Sequence, residues 1–205
     1  MSEEIFHDII YKVRGALWKD HKCGSGSLLE HTVNIRETLP KLISKFNIKS
    51  ILDAPCGDFS WMSTVQFSSD IKYIGGDIVG RMIDENRAKY PQTEFIKLDI
   101  VHNALPTVDL LFCRDLLIHL PNESVKQIFR NVVNSDIKYV LVSCGHNPKN
   151  DDIDFGKHRE VNLRSAPFSF PEPLYTIDDS CRDAVRDMLL WERDQLVEVI
   201  DLWDN

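Results

Sequence analysis

The stretch ILDAPCGDFSW, residues 51–61, runs from apolar residues into an acid and then a glycine, the pattern of a buried strand entering a ligand-binding turn. Gly57 is the one glycine in that turn, and Pro55 and Phe59 stand where a pyrophosphate-binding turn carries more. A dinucleotide needs several glycines at a helix N-terminus so that backbone N–H groups can cradle its phosphates. Asp58, next to Gly57, would repel phosphate as well. The turn therefore suits a ligand without phosphate.

Working outward, the first strand (residues 50–54) is followed by four more β-rich runs: IKYIGGD (71–77), EFIKLD (94–99), VDLLFCR (108–114) and KYVLVSC (138–144). VGRMIDENRAKY ends at Pro91 and NESVKQIFRNVVNS follows Pro121, so both read as amphipathic crossover helices between buried parallel strands. LYTI (174–177) and MLLWERD (188–194) pair as an antiparallel edge hairpin. The expected fold is α/β: a doubly wound seven-stranded sheet, mostly parallel with an antiparallel edge hairpin, plus N-terminal helices. Ile5, Phe6, Ile9, Ile10, Val13 and Leu17 give a helix over 3–18. A second helix begins after CGSGS (23–27), where Ser27 and Glu30 form a capping box, and Pro40 kinks or restarts it. One domain over 1–205 is expected: an N-terminal helical lid (1–47), a cofactor-binding core (48–145), and an acceptor loop with the closing hairpin (146–205).

In an open α/β sheet, ligands bind beyond the carboxyl ends of the strands, near the switch in strand order. Acids stand at four of those ends: Asp53, Asp77, Asp99 and Asp115. The first three follow at 24 and 22 residues, close to one βα unit each. A ring of carboxylates suits a ligand carrying positive charge and hydroxyls.

LDAPCGD, YIGGD, FIKLDI and DLLFCRDLLIHLP, in this order and at this spacing, resemble the motifs of class I S-adenosylmethionine-dependent methyltransferases over roughly residues 49–145. The departure is at Pro55 and Phe59, where the family more often has glycine; they are expected to stiffen the turn and wall the pocket. The resemblance implies S-adenosyl-L-methionine as cofactor, held by Asp53, Ala54, Cys56, Gly57, Asp77, Ile78, Asp99, Ile100 and Arg114. In it Asp53 and Gly57 lie along the methionine moiety, Asp77 accepts from the ribose hydroxyls, and Asp99 takes the adenine amine between Ile78 and Ile100. Asp115 and His119, in CRDLLIHLP, are similar to the Arg-Asp-x-x-x-His arrangement of phosphoethanolamine methyltransferases, which implies acceptor binding and proton handling. Four residues apart, the two share one face if a helix starts there; the alternative is a structural His bonding a backbone carbonyl.

Gly145–Pro173 is a long aperiodic stretch, and a loop of that length usually has a task. Arg159, Asn162 and Arg164, with His146 and Arg36, are the candidates for holding the acceptor, because planar guanidinium groups suit phosphate or carboxylate. The apolar PFSFPEPL (167–174) clamps the loop onto the sheet; with CGSGS it resembles segments of small, stand-alone bacterial methyltransferases associated with surface polysaccharide and other small molecules. Trp18 and Trp61 serve as apolar pocket walls or as core aromatics. Asp151, Asp152 and Asp154 read as a solvated acidic loop, and no spacing of His, Cys and acids requires a metal.

The 205 residues carry a formal net charge of −8, which disfavours nucleic acid as a partner. Five scattered cysteines (Cys23, Cys56, Cys113, Cys144 and Cys181) fit reduced thiols in a cytoplasm, and the acidic start MSEEIFHDII lacks the features of a signal peptide. No apolar run reaches transmembrane length. The expectation is a cytoplasmic O-methyltransferase acting on a small anionic acceptor, phosphate- or phosphoramidate-bearing or a sugar derivative. An N- or protein methyltransferase, a non-catalytic cofactor-binding module and an NAD-dependent oxidoreductase are the other readings.

Overall fold

The computed structural model describes residues 23–182 and 185–204. The helix expected over 3–18, with Trp18 and the rest of the expected lid up to residue 22, lies outside the described residues. From Val33 onward the elements are α1 (Val33–Lys45), β1 (Ser50–Asp53), β2 (Lys72–Asp77), α2 (Gly80–Lys89), β3 (Glu94–Lys97) and β4 (Leu110–Cys113). They continue as α3 (Asn122–Val133), β5 (Tyr139–Gly145), β6 (Tyr175–Asp178), β7 (Arg186–Glu192) and α4 (Arg193–Asp201). The seven strands form one sheet in the order β3-β2-β1-β4-β5-β7-β6. β1 pairs in parallel with both β2 and β4, so the strand order switches beside it. β7 is antiparallel to β5 and to β6, which makes it the one reversed strand and leaves β6 at the edge.

Both faces of the sheet are buried, and successive residues divide between them. Leu52, Leu111, Val140, Val142 and Trp191 join one core with Val125, Ile128, Phe129 and Val132 of α3 and Leu196 and Ile200 of α4. Ile51, Leu110, Phe112, Leu141 and Leu190 join the other with Ile35, Leu39, Leu42 and Ile43 of α1. This two-sided burial explains why the strands read as continuous apolar runs.

Two expectations at the N-terminal side need correction. The Ser27–Glu30 capping box is absent: the segment folds as two 3-10 turns, Ser25–Ser27 and Leu29–His31, and α1 starts only at Val33. The buried Thr32 hydroxyl sits 3.2 Å from the carbonyl oxygens of both Leu28 and Leu29, fixing the chain in turns up to that point. Pro40 does not restart the helix, which runs unbroken from Val33 to Lys45. Proline removes one backbone donor, and the buried Ile35 and Leu39 before it and Leu42 and Ile43 after it hold the axis in place.

The stretch after β5 has no regular element until β6. Asn150 stitches it: its amide donates to the carbonyls of Asn162 and Ala166 (both 2.8 Å) and accepts from Asn162 N (2.9 Å). Phe168 and Phe170 are buried, and Phe170 packs against Phe129, Trp191 and Trp203. Phe129→Ala should therefore destabilise the protein by about 3–5 kcal/mol, the usual range for emptying a buried phenylalanine site; urea denaturation followed by tryptophan fluorescence measures it.

Candidate active site

The carboxyl ends of the strands open onto a cavity of about 470 Å³, within the range of sites for small organic ligands. The turn after β1 forms its floor. Ala54 N donates to Phe112 O of β4 (3.0 Å) and Cys56 N to Gly76 O of β2 (2.8 Å), so the turn is tied to both neighbouring strands. Gly57 N donates to Asp77 Oδ2 (3.1 Å), and Gly57 O accepts from the buried Asn86 amide of α2 (2.7 Å). Gly57 has φ +53°, so its conformation favours glycine, and a Cβ there would lie 2.5 Å from Cys23 Sγ and push that side chain aside.

Phe59 does not line the cavity, contrary to expectation; Pro55 does. Phe59 adopts φ +58°, a strained conformation for a bulky residue, and its ring lies 5.0–5.2 Å from those of Tyr73, Tyr90 and Phe95. Burial in this aromatic nest offsets the backbone strain that a glycine would have avoided.

Asp53 is 2 % exposed, and Tyr73 Oη donates to its Oδ2 at 2.5 Å. Burial pushes its pKa up to about 8, with the Tyr73 bond pulling it back and neighbouring Asp77 raising it further. Burial likewise lifts Asp77 to about 6, against the N–H groups of Val79, Gly57 and Ile78 that favour its charged form. Asp77 thus closes the Gly57 turn with one oxygen and caps the entry to α2 with the other, accepting from Val79 N at 2.9 Å. Asp99 accepts from Val101 N (3.0 Å) and contacts His102 Nδ1 (2.9 Å). Asp53, Ala54, Cys56, Gly57, Asp77, Ile78, Asp99 and Ile100 all line the cavity.

Beyond β4 the chain does not form the helix that would align Asp115 with His119. Asp115 has φ +59°, and only a 3-10 turn follows at Leu117–His119. Asp115 faces arginines, with Oδ1 3.2 Å from Arg186 Nε and Oδ2 3.4 Å from Arg114 Nη1. His119 lies elsewhere on the same cavity, its Nδ1 2.9 Å from the Lys157 carbonyl. A carbonyl only accepts, so Nδ1 carries hydrogen and, in the neutral ring, Nε2 carries the lone pair.

Arg114 also lines the cavity, 5.5 Å over the Trp61 ring. Trp61 itself is 7 % exposed and serves as core and wall together. Arg159 reaches the cavity from the loop after β5, its Nη2 donating to Leu120 O (2.9 Å) and Asn122 Oδ1 (2.7 Å). Burial lowers the Arg159 pKa, while Asp152 and Asp151 act to raise it. The other four acceptor candidates stand away from the cavity lining. Arg36 ties the first turns to α1 through Leu29 O (2.9 Å) and Thr32 Oγ1 (3.2 Å). Arg164 pairs with Glu172, Asn162 Oδ1 accepts from Arg164 N (3.0 Å), and His146 Nε2 meets Asp187 Oδ2 (3.0 Å). Local ion pairs and loop bonds absorb their polar groups. Lys149 and Lys157 pair with Asp151 and Asp154 (both 2.7 Å), and Asp152 accepts from Asn122 N (2.7 Å).

Sequence reasoning missed Asp179 and Arg186. Arg114 Nε and Arg186 Nε both donate to Asp179 Oδ2, at 2.8 and 3.0 Å. Burial works against the Arg186 charge, yet Asp115 and Asp179 raise its pKa above the ordinary value. Arg114 Nη2, Arg186 Nη2 and Asp115 Oδ1 are buried with no hydrogen-bond partner among the described residues. Each such atom costs roughly 1–3 kcal/mol. The available signal was the reversal of β7: the first residue of an antiparallel strand lies at the carboxyl ends of its parallel neighbours.

No family model and no curated protein matches the sequence. Solved structures do match the fold. Magnesium protoporphyrin IX methyltransferase from Synechocystis PCC 6803 with bound SAH aligns at TM-score 0.67 and 16% identity, over 94% of this chain and 100% of that one. The 1,6-didemethyltoxoflavin-N1-methyltransferase of Burkholderia thailandensis aligns at 0.62 and 10%, over 93% and 86%. Human N-acetylserotonin methyltransferase aligns at 0.61 and 13%, over 93% of this chain and 59% of that one. The chain has the fold of S-adenosylmethionine-dependent methyltransferases.

The raised Asp53 pKa sets a pH dependence of stability. An unfolded chain releases this proton near pH 4, whereas the folded protein keeps it to about pH 8, so stability falls as pH rises between those values. The melting temperature of the ligand-free protein should drop from pH 6.5 to 8.5. Asp53→Asn should flatten that slope, which differential scanning fluorimetry reads directly.

Proposed function

We propose that this protein is a methyltransferase that moves a methyl group from S-adenosyl-L-methionine to an oxygen of a small anionic acceptor. The observation that carries the reading is the division of charge across one cavity. Asp53, Asp58, Asp77 and Asp99 line it on the β1, β2 and β3 side; all three lining arginines, Arg114, Arg159 and Arg186, stand on the β4, β5 and β7 side, together with Asp115 and Glu160. A cationic, phosphate-free cofactor fits the first half and an anionic acceptor the second. The solved structures of this fold that contain SAM or SAH support the cofactor assignment.

The residues present fit that cofactor. Gly57 allows close backbone approach, Asp77 and Asp99 offer acceptor oxygens for ribose hydroxyls and the adenine amine, and Ile78 and Ile100 supply apolar walls. When bound, S-adenosylmethionine supplies a methyl group on a sulfonium leaving group. The protein's own contribution is alignment, together with a base where the nucleophile is a hydroxyl. His119 is that base: Lys157 O fixes its Nδ1–H, and Nε2 receives the hydroxyl proton as the oxygen attacks. Asp115 serves the acceptor rather than His119, because its carboxylate faces Arg114 and Arg186.

Calorimetric titration should show S-adenosylmethionine and SAH binding in the micromolar range, and no binding of either at high micromolar concentration would sink the reading. Asp77→Ala should weaken SAH binding at least about tenfold, the scale of one or two lost hydrogen bonds. His119→Ala should keep SAH affinity and lose about 10²–10⁴-fold in turnover, the usual worth of a positioned base. A misfolded His119→Ala protein would instead assign this residue to the scaffold.

A further inference from the structure

Two of the three arginines at the cavity wall, Arg114 and Arg186, form a unit that does not pair all of its own polar atoms. Arg114 and Arg186 are 6 % and 8 % exposed and share Asp179 Oδ2 through their Nε atoms. Their Nη2 atoms have no partner among the described residues, nor does Asp115 Oδ1 beside them, which lies 3.2 Å from Arg186 Nε without meeting hydrogen-bond geometry. A self-sufficient ion-pair network would satisfy its own donors and acceptors. This one leaves two cationic donors and one acceptor, all within one cluster. Two guanidinium groups and two carboxylates cancel in formal charge, so a singly charged anion enters at less electrostatic cost than a dianion.

Resting on the methyl-transfer reading, we propose that Arg114 and Arg186 seat the carboxylate of the acceptor, and that a hydroxyl next to that carboxylate, other than the oxygen that His119 deprotonates, donates to Asp115 Oδ1. The acceptor is then a small hydroxycarboxylate. Gly26 covers the seat: a Cβ there would lie 2.9 Å from Asp115 Oδ2 and 3.5 Å from Arg186 Nη2. The carboxylate takes the space that the Ser25–Ser27 turn now closes, so entry requires that turn to lift.

Calorimetric titration of L-lactate, acetate and inorganic phosphate into the full chain, with and without saturating SAH, tests this. Lactate should bind wild-type protein with a dissociation constant on the order of millimolar, and acetate about threefold or more weaker, for want of the hydroxyl. Arg186→Gln should abolish lactate binding while leaving SAH affinity within about twofold, since no cofactor contact is removed. Asp115→Ala, at a partly exposed position, should erase the preference for lactate over acetate, and decides the matter if Arg186→Gln fails to fold. Lactate failing to bind the wild type in both states overturns the proposal, and phosphate binding tighter than lactate overturns the carboxylate assignment. A parallel loss of SAH affinity in Arg186→Gln also overturns it, because the cluster would then hold the cofactor's amino-acid end. Arg186-dependent lactate binding without SAH binding supports the seat and sinks the methyl-transfer reading instead.

Discussion

The site depends on the turn after β1 being held at one height above the sheet. Its backbone bonds to β2 on one side and β4 on the other, and Asp77 and Asn86 grip Gly57 from two directions. Glycine's conformational freedom costs entropy, and those four attachments offset it. They also explain why one glycine suffices. The second position that would ordinarily need glycine is Phe59, whose positive φ is sustained by three aromatic neighbours.

Much of this was legible in the residues themselves. Apolar runs ending in acids located β1, β2 and β3, and the regular distance between Asp53, Asp77 and Asp99 gave the βα periodicity that brings them to one edge. What could not be read was which polar side chains turn toward that edge. Arg36, His146 and Arg164 have the right chemistry but find nearer partners. Arg186 looks unremarkable in sequence and reaches the site only because β7 runs backwards. Spacing four apart joins Asp115 to His119 only on a helix, and the left-handed backbone at Asp115 removes the helix.

The two sides of the cavity use burial in opposite ways. On the acidic side it suppresses charge: Asp53 is held protonated near neutral pH, and Asp77 titrates near 6. On the basic side it is overcome by pairing, since Asp115 and Asp179 keep Arg186 charged. The free pocket is consequently less negative than its residue list implies, and a cationic ligand entering beside Asp53 favours release of that proton.

The position of β7 also orders events in time. β6 precedes β7 in the chain but pairs with no other strand among the described residues, and β7 must slot between it and β5. During synthesis the acid-bearing strands β1 to β3 emerge early, and residues 175–178 then wait as an unpaired segment until 186–192 have left the ribosome. Arg186 arrives with that last strand, so the basic wall of the cavity is the final surface to be completed. A nascent chain stalled before it would hold the acidic half of the pocket with Arg114 and Arg159 but without Arg186, and the side of β5 that later takes β7 would be open to unwanted strand pairing.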